Sequence, residues 1–347
     1  MKIFHDDAHR LHAPRGELHG GELVEPFERP SRIDCILQWL DRHGFSDIEA
    51  PGEFDPGPAR SVHDAGYLSF LENAWSDWQQ EGFSGDLIPS TFPVRRMPGQ
   101  DCPESIDGRA GYYALAAETS ITAGTWAAAM ASCSSAQAAQ RHVASVGGRG
   151  RTALALCRPP GHHAMKDMFG GYCFLNNAAI AAQMFVDEGA ARAAILDVDF
   201  HHGNGTQDIF YDRADVLFAS LHGDPAHAFP YFSGHAGEKG VGAGEGANFN
   251  FPMGKGTRYD EWSQALGTAI GIIREFGAEV LVVSLGVDTY RKDPISFFRL
   301  ETGDFARCGA AIAELQLPTV VVMEGGYAID EIGINTVGFL EGLGGRP

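Results

Sequence analysis

From Thr152 onward the chain alternates short apolar runs rich in Val, Ile, Leu and Ala with longer stretches of helical periodicity, and this alternation limits the fold more than any other feature. A run apolar at successive rather than alternate positions suits a strand buried on both faces. Such strands belong to parallel sheets, whose crossover helices cover both sides. The runs cover residues 153–157, 193–198, 216–221, 280–285 and 319–323, and helices are predicted between them at about 175–188, 260–276 and 304–315. Upstream, Ile33, Ile36, Leu37 and Leu40 fall at helical spacing, with Ser31 and Asp34 patterned as a capping box. A second helix is predicted from about Asp64 through Trp78, ending near Gly82. An alanine-rich helical stretch lies between Tyr113 and Val146, with a break at Gly124. Residues 89–103 read as an irregular loop.

These elements predict an α/β fold of one domain, and 347 residues are enough to bury a sizeable core. The first residues, Met-Lys-Ile-Phe-His-Asp-Asp, form no apolar leader core, and no stretch approaches the roughly 18 apolar residues of a membrane span. A cytoplasmic protein without membrane contact is therefore expected. Cys35, Cys102, Cys133, Cys157, Cys173 and Cys308 include no Cys-x-x-Cys pair, which points away from a thiolate zinc site and from a disulfide framework. A net charge of −19 repels nucleic-acid phosphates and favours cationic ligands. Residues 240–246 alternate glycine with other residues but lack the spacing of a nucleotide-binding loop, so a closely packed loop is expected.

Polar clusters follow directly after the apolar runs. In open α/β sheets the carboxyl ends of the strands form the ligand crevice, so clusters distant in sequence should converge there. The densest is Asp197-Val-Asp199-Phe-His201-His202-Gly-Asn204. If the strand continues, its period of two sends Asp197, Asp199 and His201 to one side and His202 to the other. Carboxylate and imidazole ligands on one face suit zinc. Asp288, at the end of Leu-Val-Val-Ser-Leu-Gly-Val-Asp, is the candidate third ligand, leaving one position open for water. The competing reading is an ion-paired Asp and His turn without metal. The second cluster, Arg158-Pro-Pro-Gly-His162-His163, offers two adjacent imidazoles, groups able to act as base or acid near neutral pH. The third, Glu324-Gly-Gly-Tyr327, can bring a phenol over the crevice to donate to an oxyanion, although a tyrosine at a turn is often simply packed.

Taken together, Arg-Pro-Pro-Gly-His-His-Ala, Gly-Gly-Tyr-Cys-Phe-Leu-Asn-Asn (170–177), Asp-Val-Asp-Phe-His-His-Gly-Asn-Gly-Thr, Leu-Gly-Val-Asp and Glu-Gly-Gly-Tyr resemble the histone deacetylase family in order and spacing over nearly the whole chain. Residues 20–27, 91–96 and the run Val-Val-Met-Glu-Gly-Gly-Tyr are similar to its acetylpolyamine amidohydrolase branch. The resemblance implies an arginase-deacetylase-like, three-layer α/β/α fold around an eight-stranded parallel sheet. It implies zinc on Asp199, His201 and Asp288, with Asp197 orienting His162, and Asn204 rather than an aspartate behind His163. It further implies a structural potassium ion at Asp197, Asp199, His201, Ser220 and Leu221. The implied chemistry is metal-assisted amide hydrolysis: His163 takes the water proton, Tyr327 shares the oxyanion, and His163 with His162 protonates the leaving amine.

For substrate, the resemblance implies an acyl channel lined by Gly171 and Tyr172, and carboxylates Glu17, Asp107 and Glu118 attracting distal ammonium groups. It also implies an insertion at about 89–111 that builds a homodimer interface and narrows the entrance. The expected substrate is a small cationic acetylated amine of the acetylputrescine or acetylspermidine type. The alternatives are an acetyl-lysine protein deacetylase or other small N-acyl amine amidohydrolase, a dinuclear manganese ureohydrolase, and an inactive binding module.

Overall fold

The computed structural model describes residues 1–97, 101–146 and 151–344. Its main sheet has eight strands: β1 (Lys2–Phe4), β2 (Ile48–Glu49), β3 (Thr152–Ala155), β4 (Ala193–Asp197), β5 (Val216–Gly223), β6 (Asn248–Met253), β7 (Val280–Leu285) and β8 (Thr319–Met323). The spatial order is β2-β1-β3-β8-β7-β4-β5-β6, and every pairing is parallel. Period-two alternation explains why the inner strands carry apolar residues on both faces. Ala153, Ile195, Phe218, Val282 and Val322 point into one core, and their neighbours Leu154, Leu196, Leu217, Val283 and Val321 into the other. The helices Thr125–Ser145 and Asn177–Asp187 contribute to the first core; Ser31–Arg42, Tyr259–Phe276, Thr302–Ala313 and Ile329–Gly342 contribute to the second. The expected three-layer arrangement is present.

The five apolar runs all become the inner strands β3, β4, β5, β7 and β8. The three outer strands escape the periodicity reading for physical reasons. Strands β1 and β2 span three residues and two residues, too few to show a period. Strand β6, Asn-Phe-Asn-Phe-Pro-Met, lies at the sheet edge and alternates polar with apolar residues.

Two helix details differ from expectation. The helix Ser31–Arg42 has Pro30 at its N-cap and no side-chain cap; Asp34, instead of reaching back to Ser31, pairs with Arg10. Gly124 does not break a helix but precedes one, Thr125–Ser145. A side chain at Gly124 would run into the Leu11 carbonyl, so close packing sets that boundary. Within the segment 89–111, residues 98–100 lie outside the described residues, and Ile106–Tyr112 forms a helix that buries Ile106 and Ala110.

Candidate active site

The carboxyl ends of β3, β4, β7 and β8 deliver the polar clusters to one place. Asp199 and His201 follow β4, and Asp288 follows β7; these three each bring a ligand atom within 4.8 Å of the others. His201 Nδ1 lies 2.9 Å from Asp288 Oδ2 and 3.3 Å from Asp199 Oδ1. Backbone N–H groups fix both carboxylates. Gly325 donates to Asp199 Oδ2 at 2.8 Å, and Phe200 to Asp288 Oδ1 at 2.8 Å. Gly325 is small because a Cβ there would collide with both carboxylates.

Two fully buried carboxylates facing one point repel. Burial and the neighbouring Asp199 push the Asp288 carboxyl up to about 8, while Asp199, also opposed by burial, is held low by the His162 and His201 rings. Among the described residues no lysine or arginine pairs with either carboxylate. The donor set therefore fits a divalent cation, which would satisfy the two oxygens that the chain itself leaves to one imidazole.

Beside this group stand the two histidines of the Pro-Pro-Gly-His-His turn, ring centroids 4.1 Å apart. His162 Nδ1 donates to Asp197 Oδ2 at 2.9 Å, and His163 Nδ1 to Asn204 Oδ1 at 2.7 Å. The partners split their proton affinities. Burial opposes charge on both rings, yet the Asp197 and Asp199 carboxylates raise His162 to about 10. The neutral Asn204 amide does not offset burial and the adjacent His162 and His201, so His163 falls well below the ordinary histidine value. The surroundings thus favour the charged form of His162 and the neutral form of His163. The strand ends at Asp197, short of His202, which nonetheless faces away from this group, its ring 4.6 Å from that of His222.

Tyr327 is buried after the Gly-Gly turn, its N–H donating to Asp293 Oδ2 at 2.7 Å. Arg32 places its guanidinium 4.9 Å above that ring and donates to the carbonyls of Gly326 and Glu324. Glu28 binds both Arg32 and Arg158, and Glu324 accepts from the N–H groups of Gly161 and His162. None of these supporting residues had a role in the sequence reading. Arg32 did carry a signal, since it shares the helical stripe of Ile36 and Leu40 at i, i+4, i+8, an odd place for an unpaired charge.

His163, His201 and Tyr327 line the inner part of a cavity of about 430 Å³. Its walls are Tyr172, Phe200, Phe229 and Phe297, and its outer rim includes exposed Leu18, His19 and Gly20. Gly171 has φ +55°, and a Cβ there would be driven into the His163 ring. Tyr172 is also left-handed, at φ +66°, a conformation costly for a tyrosine and held by its contacts. Its N–H donates to Thr119 Oγ1 at 2.8 Å and its hydroxyl to Glu17 Oε1 at 2.6 Å. Glu17 and Glu118 line the cavity, and Glu118 accepts from Gly171 N at 2.8 Å. Asp107 does not: it lies exposed on the helix Ile106–Tyr112, outside the cavity lining. Ser220 and Leu221 are buried on β5, with Ser220 in register opposite Asp197. Phe200, Phe229 and Phe297 went unassigned in sequence because a lone phenylalanine in a loop has no pattern.

Comparison with known proteins agrees with this geometry. The histone deacetylase domain model matches residues 26–343. Acetylpolyamine amidohydrolase 2 of Pseudomonas aeruginosa is 53% identical over 345 residues, covering 99% of both chains. The acetylpolyamine amidohydrolase of Mycoplana ramosa is 53% identical over 345 residues, covering 99% of this chain and 100% of its own. A crystal structure of acetylpolyamine aminohydrolase from Burkholderia pseudomallei superposes with a TM-score of 0.93 at 38% identity, covering 100% of each chain. With an arginase-deacetylase fold, a buried Asp-His-Asp group beside paired histidines and a phenol, and a family match over most of its length, the chain belongs to the histone deacetylase family of amidohydrolases.

Proposed function

We propose that the chain hydrolyses the acetyl amide of acetylated polyamines, of the acetylputrescine or acetylspermidine type, to acetate and free amine, with zinc on Asp199, His201 and Asp288. The observation that carries this reading is the position of that group at the foot of an aromatic-walled cavity with carboxylates in its lining. The metal supplies Lewis acidity to the acetyl carbonyl and to water. The chain supplies proton transfer. His163, kept in its neutral, proton-accepting form by burial and by the neighbouring His162 and His201, and oriented by Asn204, takes a proton from the attacking water. Tyr327 donates its O–H to the oxyanion of the tetrahedral adduct. His163 then returns the proton to the leaving nitrogen, while His162, held protonated by Asp197, stabilises negative charge. Tyr172, Phe200 and Phe229 shield the methylene chain from water.

Glu17 and Glu118 attract the distal ammonium group in this scheme. A potassium ion held by Asp197, Asp199, His201, Ser220 and Leu221 belongs to the same reading, supported by the buried Asp197–Ser220 register pair. The 89–111 segment is assigned to a homodimer interface. Asp107, exposed and outside the lining of its own cavity, reaches substrate only if a second copy brings it there. The deciding experiment compares metal-reconstituted enzyme on free acetylputrescine, free acetylspermidine and acetyl-lysine peptides. The expected result is a higher kcat/KM on the free amines; a clear preference for peptides overturns the substrate assignment.

A further inference from the structure

A second group of ligand-type side chains lies apart from the cavity, where β1 runs into the 3-10 turn Asp7–Leu11. His5, Asp7 and His9 each bring one ligand atom within 4.8 Å of the others. The His5 and His9 rings stand 5.0 Å apart. His9 is 1% exposed, and among the described residues neither of its ring nitrogens has a partner; the His5 side chain, 8% exposed, makes no hydrogen bond of good geometry and has only the Leu156 backbone and the Asp7 carboxylate near its nitrogens. A buried N–H or lone pair without a partner costs about 1–3 kcal/mol, so two such rings facing each other require an explanation. Asp7, well exposed, closes the group on its solvent side, with Oδ1 3.5 Å from His5 Nε2. The turn itself is fixed by Asp6, which accepts from Ala8 N at 2.8 Å and so holds His9 back over His5.

We propose that His5, Asp7 and His9 form a binding site for one divalent transition-metal ion, with zinc as the reference case. Two imidazole nitrogens and one carboxylate oxygen are a borderline-soft set suited to zinc, at bonds of about 2.0–2.2 Å, with the remaining position open to water beside Asp7. Ligands at those bond lengths stand roughly 3.4 Å apart in a tetrahedron. Asp7 is exposed and one of its oxygens already stands 3.5 Å from His5 Nε2, and all three ligand atoms lie within 4.8 Å of one another, close to that spacing. Burial keeps both imidazoles in the neutral form that has a lone pair to give. The surrounding charges are mixed. Arg10 lies 3.8 Å from Asp7 but is paired with Asp34, and Arg158, near His9, is paired with Glu28. Asp6 adds negative charge beside His5. Metal there ties the first strand to a turn whose His9 carbonyl accepts from Arg158, four residues before His162.

The test counts zinc. Protein stripped with chelator, reloaded with zinc and desalted is analysed for bound metal in the unaltered chain, in Asp7→Asn, in His5→Gln, and in each combined with Asp288→Ala. The proposal expects one zinc fewer in Asp7→Asn and His5→Gln than in the unaltered chain. It also expects that the zinc remaining in Asp288→Ala is lost when either change is added. Affinity at this site should fall by more than the roughly tenfold that losing an outer-shell partner costs a metal site. Asp7 is exposed, so its variant should fold even if His5→Gln does not, and amide hydrolysis by Asp7→Asn should be unchanged. Equal zinc content with and without these substitutions overturns the site, and leaves the catalytic reading untouched.

Discussion

At the floor of the cavity every ionisable side chain is buried and bound to a specific partner, whereas at the rim the side chains are partly exposed and loosely determined. Asp199, Asp288, His162, His163 and His201 all fall in the first group, each fixed by a backbone N–H, a carboxylate or an amide. Leu18, His19, His227 and Tyr231 fall in the second. Burial magnifies electrostatic differences, so the Asp197 and Asp199 carboxylates beside His162, against burial and the neighbouring rings at His163, shift two adjacent imidazoles in opposite directions. At the rim, water screens such differences, and charge changes there should alter binding modestly. The proposed function assigns chemistry to the floor and selection to the rim.

The harshest test of this contrast is removal of the divalent ion from the floor. Dialysis against chelator should reduce acetate release to background, and zinc should restore it; activity surviving in demonstrably metal-free protein would break the contrast outright. Next in size, Tyr327→Phe should lower kcat by on the order of a hundredfold or more, the cost of losing an oxyanion donor, while bound metal measured on the same sample stays constant. A mutant of normal turnover would move the tyrosine from the floor's machinery to mere packing.

Asn204→Asp sharpens the comparison by giving His163 the kind of partner His162 has. In the proposed mechanism the base form of His163 is the active one, and burial holds its proton affinity low, so the enzyme should remain active well below neutral pH. A carboxylate raises that affinity, hence the acid limb of the kcat/KM profile should move to higher pH, with activity at pH 6 falling relative to pH 8. An unmoved limb would mean that another group controls it. The smallest effect is expected at Glu17→Gln. Glu17 is itself buried, but it lines the open cavity and Gln keeps its shape; losing its attraction for a distal ammonium group costs about 1 kcal/mol, so KM for acetylspermidine should rise roughly fivefold with kcat nearly unchanged. A large fall in kcat would place Glu17 with the floor, acting through its hydrogen bond to Tyr172.

How much of this was legible follows from the same physics. The inner strands announced themselves because burial on both faces demands apolar residues at successive positions, as in Val280–Val283. The outer strands, the unexpected N-cap at Pro30 and the helix Ile106–Tyr112 did not, since short or half-exposed elements depend on neighbours more than on their own residues. Asp199, His201 and Asp288 were readable as one group because each closes an inner strand at the same end of the sheet. The Arg32–Glu28–Arg158 network was not, because its members come from segments with no shared pattern.

Alone, the order of residues determined a parallel α/β architecture and the chemical identity of the groups at its strand ends, because periodicity and side-chain type are local properties of a chain. Only the tertiary structure decided which imidazole is charged, that Asp107 stands away from its own cavity while Glu17 lines it, and that His5 faces His9. Those outcomes depend on burial and on distances between segments far apart in sequence, and neither quantity exists until the chain has packed.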